Sequence, residues 1–305
     1  MNEDGDFESL YALKLAPLMT SLKQEGDSTD KWGIIALLSF VAAIVIGFFA
    51  LEFHYSHVGF LFSILISVAI VATYKYSKKN DKYIDDYKAS VIKEIIAHLY
   101  PDIIYKPDES ISQHEYKTSS LFRAYYDYFD GDDYIEGVVN NVSFHCSQLH
   151  TQFENMKTIF KGLFFVVKIN SAFTGGTYVW ARGEEQLPAT MMDEYRLMPI
   201  PRIRDLYIDK DFAKYYRVCT TYESQALTIL TPAMRQRMIM LTHESGRLMA
   251  FSFVAGNCYF AIPAGNDLLE PPDTEPGDKE EVKKYYYTIQ LIIGIINQLH
   301  LEELA

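Results

Sequence analysis

The chain has 305 residues, 49% of them hydrophobic, and a formal net charge of -12. An acidic balance excludes general nucleic-acid binding, which needs a basic surface to displace counterions from phosphate. The three cysteines, Cys146, Cys219 and Cys258, are odd in number and widely spaced, which excludes a disulfide framework and a CxxC zinc knuckle and suits a reducing cytosol.

Residues 1–31 carry -4 and read as a cytoplasmic N-terminal arm. In it Phe7, Leu10, Tyr11, Leu13, Leu15 and Leu18 recur at helical spacing, predicting a short amphipathic helix that breaks or kinks at Pro17. Two apolar runs without charged residues follow, 33–51 and 53–74. At 1.5 Å per residue each approaches the roughly 30 Å hydrocarbon core of a bilayer. Their apolar residues surround the whole helix instead of forming one stripe, so a buried hairpin of a soluble protein fits less well. The long acidic lead and the second run do not fit a cleavable signal peptide. A transmembrane helical hairpin is therefore expected over 32–76, with the lipid bilayer as its partner.

Lys14, Lys23 and Lys31 precede the first run, and Lys75, Lys78, Lys79 and Lys82 follow the second. The connection 52–58 holds no Lys or Arg. The bias puts both termini in the cytoplasm, as a multi-pass protein of the inner membrane. Trp32, Tyr55, Tyr74 and Tyr76 sit where amphipathic rings favour the headgroup layer, and His54 and His57 flank the external turn.

Beyond the membrane, Tyr83, Tyr87, Val91, Ile92, Ile95, Ile96 and Leu99 mark one face of a helix ending before Pro101, within a helical connector expected over 77–118. The remainder, 119–305, reads as a cytoplasmic α+β domain with a largely antiparallel sheet packed by two or more helices; from residue 80 onward the chain carries -10. The stretch 137–154 reads as one long or bent strand, and 157–170, apolar on both faces at its centre, as an interior strand. Gly175 and Gly176 turn the chain into TYVWAR. LMAFSFVA and CYFAIP flank Gly256–Asn257, a two-residue hairpin signal. Thr231 is a good N-cap with Pro232 at the first helical position, and Gly246 is the expected left-handed stop. Asp278 and Glu281 make a capping-box-like start for the last helix, whose Tyr285, Ile289, Ile292, Ile293, Ile296 and Leu299 lie on one face. The loop 265–278 is proline-rich and acidic.

The ordered set YKASVIKEIIAHLYPDIIYKP, SSLF, GDDYIEG, TIFKGLFF and AFSFVAGNCYFAIP resembles an uncharacterised bacterial family of membrane-anchored proteins with a cytoplasmic domain of unknown function. The resemblance runs from about Tyr87 to the last helix and leaves out 184–217. It implies an architecture of paired N-terminal spans and a cytoplasmic domain, and no reaction.

Asp127, Asp130, Asp132, Asp133 and Glu136 surround Gly131, and clustered carboxylates suit a hard cation. Asp130, Asp132, Asp133 and Glu136 are the metal candidates, although the spacing is not that of an EF-hand and Asp-Gly also makes turns. On one strand Cys146 and His150 share a face and His145 points away, so a zinc site would need ligands from elsewhere. GxxxxGK[ST], HExxH, GxSxG and GxGxxG do not occur, and no cofactor is expected. The densest basic interval holds Arg196, Arg202, Arg204, Lys210, Lys214 and Arg217 among Pro199, Pro201, Tyr207, Tyr215 and Tyr216. Arg202, Arg204, Lys214 and Arg217 are the anion candidates, with Asp205, Asp209 and Asp211 placed to neutralise them. The sequence thus points to a membrane-tethered binding or scaffolding module for a protein or small anionic ligand, not evidently catalytic. A membrane-bound enzyme with a metal-assisted site and an anionic-lipid headgroup sensor are the alternatives.

Overall fold

Helix occupies almost all of the first hundred residues and an antiparallel sheet dominates the rest. The computed structural model describes residues 3–53, 56–153, 157–169, 175–182, 200, 202–265, 267–270 and 278–304. Two units divide the chain: Met1–His98 with Leu269–Tyr286, and Leu99–Leu268 with Tyr287–Ala305.

In the first unit, α1 (Glu3–Leu10) passes through a π-helical segment, Tyr11–Leu15, into α2 (Ala16–Phe53). The expected break at Pro17 does not occur. The wider π turn just before Pro17 changes the hydrogen-bond spacing where proline lacks an N–H, and the chain stays helical. The return helix α3 (Ser56–Tyr87) passes through a second π segment, Lys88–Ile92, into α4 (Lys93–Leu99). Within these helices Gly5–Phe49 and Gly59–Leu99 are long and apolar enough to cross a membrane by length and composition. The seam of the α2–α3 hairpin is built from small residues: Ala43, Ala69 and Ala72 are buried, and Gly33 and Gly47 receive the rings of Tyr76 and Phe62. Large apolar side chains point outward instead, among them Ile34, Leu38, Phe48, Phe60 and Ile70. His54, Tyr55 and the side chain of His57 lie outside the described residues.

Beyond the apolar stretch α2 and α3 are ion-paired through Glu25 and Lys82 (2.5 Å), and Lys14 of the first π segment pairs with Glu94 of α4. Phe7 packs edge-on against Tyr286 (5.4 Å between centroids), and Asp6 accepts a hydrogen bond from the Tyr286 hydroxyl at 2.7 Å. The buried Lys88 in the second π segment pairs with Glu270 at 2.8 Å.

The second unit is a nine-stranded sheet in the order β1-β2-β3-β4-β9-β8-β5-β7-β6, every pairing antiparallel. Its strands are β1 (Ile104–Lys106), β2 (Tyr128–Val139), β3 (Val142–Phe153), β4 (Lys157–Lys168), β5 (Thr177–Ala181), β6 (Arg204–Leu206), β7 (Tyr216–Thr220), β8 (Ala250–Val254) and β9 (Asn257–Pro263). The stretch expected as one strand over 137–154 is divided by a two-residue turn. Asn140 and Asn141 both take left-handed backbone (φ 49° and 63°), which asparagine tolerates, so 128–139 and 142–153 fold back on each other. GDDYIEG therefore lies within β2. The connector expected as helical over 77–118 leaves helix at Leu99; β1 then pairs with β2, and α5 (Gln113–Ser119) starts at a full capping box of Ser112 and Glu115. The β8–β9 turn is centred on Ala255–Gly256, one residue before the expected pair, because Val254 pairs with Asn257.

The two sheet faces have separate cores. Tyr116 of α5 packs with Leu149, Phe160, Phe164 and Tyr259 on one face. On the other, Cys146, Phe165, Phe260, Phe251, Val179 and Val218 stand in one register row, with Phe165 stacked on Phe260 at 4.3 Å. Over that row lies α7 (Pro232–Ser245), capped by the Thr231 hydroxyl and stopped at Gly246 as expected; its Thr242 hydroxyl meets the Tyr216 hydroxyl at 2.6 Å. The Glu303 carboxylate after α8 (Lys279–Leu299) accepts two hydrogen bonds from Arg237 of α7 at 2.7 and 2.8 Å. The short α6 (Glu223–Ile229) connects β7 to α7.

Candidate binding site at the edge of the sheet

The outermost strand β6 pairs with β7 through Arg204–Thr220, Asp205–Cys219 and Leu206–Val218. Between them the chain 207–215 forms a short 3-10 turn, Phe212–Lys214, preceded by Asp209, whose carboxylate accepts from the Phe212 N–H at 2.8 Å. Under this loop lies a cavity of about 310 Å³. Its lining includes Arg182, Asp205, Tyr207, Asp209, Tyr216 and Arg217.

The Arg217 guanidinium grips Asp205 in a two-pronged pair, Nε to Oδ1 at 2.8 Å and Nη2 to Oδ2 at 3.0 Å. Cys219, two residues along β7, donates its thiol to the same Oδ1 at 3.0 Å. The Arg217 bond, then the Cys219 bond, hold the Asp205 carboxyl below its ordinary range. Burial, with the Asp205 carboxylate second, pushes the Cys219 thiol up to about 12, so it is protonated near neutrality and is no thiolate nucleophile. Asp209 pairs with Arg235 at 2.9 Å and Asp211 with Lys214 at 2.7 Å. The three aspartates thus take three cations, Arg217, Arg235 and Lys214.

Of the four anion candidates only Arg217 lines the cavity. Lys214 is engaged with Asp211, while Arg202 and Arg204 are exposed and take no carboxylate among the described residues. Arg196, Pro199 and Pro201 lie outside those residues. Arg182, absent from the sequence-based candidates, reaches the cavity because β5 runs antiparallel to β7, where the Arg182 N–H donates to the Tyr215 carbonyl at 2.8 Å. Its guanidinium takes no carboxylate among the described residues. Its only sequence signal was its place at the end of TYVWAR.

The metal candidates stand along β2. Asp130 faces His150 across the strands and accepts from the Tyr128 hydroxyl at 3.0 Å; Asp132 faces Gln148. Register slips between Asp132 and Ile135, and Asp133 there takes φ 58°, turns inward to become buried, and accepts from the Tyr105 hydroxyl. Glu136 accepts from the Tyr134 hydroxyl at 3.1 Å and lies 3.5 Å from Lys106 Nζ. Among the described residues no group of three His, Cys, Asp or Glu side chains is placed to hold a metal ion. Cys146 and His150 do share a face of β3, but burial pushes the Cys146 thiol well up, and His145 on the opposite face bonds Glu115 at 2.8 Å.

Residues 158–301 match the family described as a protein of unknown function (DUF3137). The match begins in β4 and ends after α8, and so includes the cavity but not the helical hairpin. No curated protein sequence matches. Among solved structures, the crystal structure of the mycobacterial trehalose monomycolate transport factor A is similar at 9% identity and a TM-score of 0.33, over 68% of this chain and 96% of that one. At that similarity it bears on neither ligand nor role.

Proposed function

We propose that this protein is a membrane-tethered binding or scaffolding module of the inner membrane, with both termini in the cytoplasm and the sheet unit on that side. One observation supports the tether above all. Along α2 and α3 large apolar side chains point outward over 34–49 and 60–71, and the same helices become ion-paired beyond Trp32 and Lys75. Exposed apolar surface of that extent is stable in hydrocarbon and costly in water. The lysines that follow and precede the spans support the orientation.

The binding role is drawn from the cavity at the β6–β7 edge. It has the size of a small-ligand site, a guanidinium from Arg182 that takes no carboxylate among the described residues, and Tyr207 exposed at its rim. A small polyanion fits that chemistry, with Arg182 as its charge partner and the Arg217–Asp205 pair as a fixed wall.

Thermal melts of the full chain in detergent with citrate and with pyrophosphate test the reading. Either anion is expected to raise the midpoint, and Arg182→Gln to weaken the apparent affinity about tenfold, as the loss of one charge-assisted contact implies. Equal responses in both proteins would remove the site. Hydrolytic turnover that depends on a cavity residue would replace binding by catalysis.

A further inference from the structure

Within the first unit a second cavity, a groove of about 660 Å³, opens between α2 and α3. Glu25, Ser28, Thr29, Lys79, Lys82 and Asp86 form part of its wall. The distribution of partners along it is uneven. Lys82 is matched by two carboxylates, Glu25 at 2.5 Å and Asp86 at 3.0 Å. Lys79, one helical turn closer to the apolar stretch, donates only to the Ser28 hydroxyl, and no carboxylate reaches it among the described residues. Lys75, a further turn back, lies over the Trp32 ring at 4.2 Å, and the exposed Lys31 and Lys78 likewise take no carboxylate among the described residues.

Four cations that take no carboxylate among the described residues therefore gather where the apolar surface ends, and one of them, Lys79, lines a groove. Ser28 stands one turn beyond Trp32 on α2, as Lys79 stands one turn beyond Lys75 on α3. One turn is roughly 5 Å, the step from the aromatic belt to the phosphate layer of a leaflet. We propose that this groove is a headgroup site for an anionic phospholipid, with the phosphate bound by Lys79 and the Ser28 hydroxyl. The lysines where the apolar surface ends give the site selectivity. A headgroup of net negative charge, such as that of phosphatidylglycerol, is attracted by all of them, whereas the choline ammonium of phosphatidylcholine cancels the phosphate charge and is repelled by Lys31, Lys75 and Lys78. The inference rests on the membrane reading above and concerns a site distinct from the cavity at the sheet edge.

The test uses the full chain in neutral detergent, melted with short-chain phosphatidylglycerol, short-chain phosphatidylcholine or glycerol phosphate. Phosphatidylglycerol is expected to raise the midpoint and the other two to leave it unchanged. Lys79→Gln should weaken the apparent phosphatidylglycerol affinity about tenfold. Lys210→Gln, an exposed cation of the other unit, should leave it unchanged. Equal affinity in wild type and Lys79→Gln overturns the site, and a rise from glycerol phosphate as large as that from the lipid overturns the lipid assignment. Alkaline carbonate that releases the chain from its membranes defeats the membrane reading itself, whereas retention without headgroup discrimination defeats the groove alone.

Discussion

Two backbone positions show how single residues set the sheet. Gly162 in β4 holds φ 150°, and a Cβ built there would lie 2.2 Å from the Ile262 carbonyl oxygen on β9. Neither strand can yield, because Gly162 faces Pro263 and the Ala264 N–H donates to the Lys161 carbonyl at 2.9 Å. Gly162→Ala is expected to destabilise the protein by about 3 kcal/mol, from overpacking and backbone strain together, as read by thermal melts of the full chain in detergent. Ala255 is the opposite case, since it occupies left-handed backbone (φ 53°) without the residue type that favours it. Ala255→Asn should raise stability by about 0.5–1 kcal/mol, and a lowered midpoint would show that the turn is not as described. The Gly-Asn signal located this hairpin within one residue. Facing Phe251 with Phe260, at 5.9 Å, belongs to the register that places Ala255 in the turn.

At the scale of elements, α5 is pinned to the sheet by a charge that pH can remove. The Glu115 carboxyl is held down at about 2, against an ordinary 4.5, first by the His145 imidazole and then by the Ser112 hydroxyl and N–H, with partial burial opposing. A carboxyl lowered on folding adds stability that is fully present above about 4.5 and lost as pH falls towards 2. Glu115→Gln keeps an acceptor for the capping box and removes the charge. It should cost about 1 kcal/mol at neutral pH, a value tempered by solvent screening at this partly exposed site. The gap between variant and wild-type melting should close between pH 4.5 and 2; a gap constant over that range would show that the charge is not what holds the helix. The capping-box pattern of Ser112 and Glu115 is plain in the sequence, but its tie to His145, thirty residues later, is not. The Asp205–Arg217 fork divides in the same way: the neutralising aspartates were legible as a group, while the pairing came from the β6–β7 register.

For the whole molecule the proposed orientation makes a direct prediction. All three native cysteines are buried, and burial raises each thiol above its ordinary value, so they react slowly with maleimides. Cysteines introduced as Lys23→Cys and Lys210→Cys should take an impermeant maleimide only after the cells are opened, and Ser56→Cys should label in intact cells. Labelling of Lys210→Cys from outside would reverse the topology. The sequence by itself determined the two long apolar helices, the antiparallel character of the sheet, and the caps of α7. Apolarity around a helix, strand alternation and capping chemistry are all encoded within windows of a few residues. The tertiary structure alone decided that 128–153 folds back at Asn140–Asn141, that Asp133 turns inward at a register slip, and that Arg182 meets Arg217 at one cavity. Those outcomes depend on which strands become neighbours and in what register, and that choice is made by burial summed over the whole sheet.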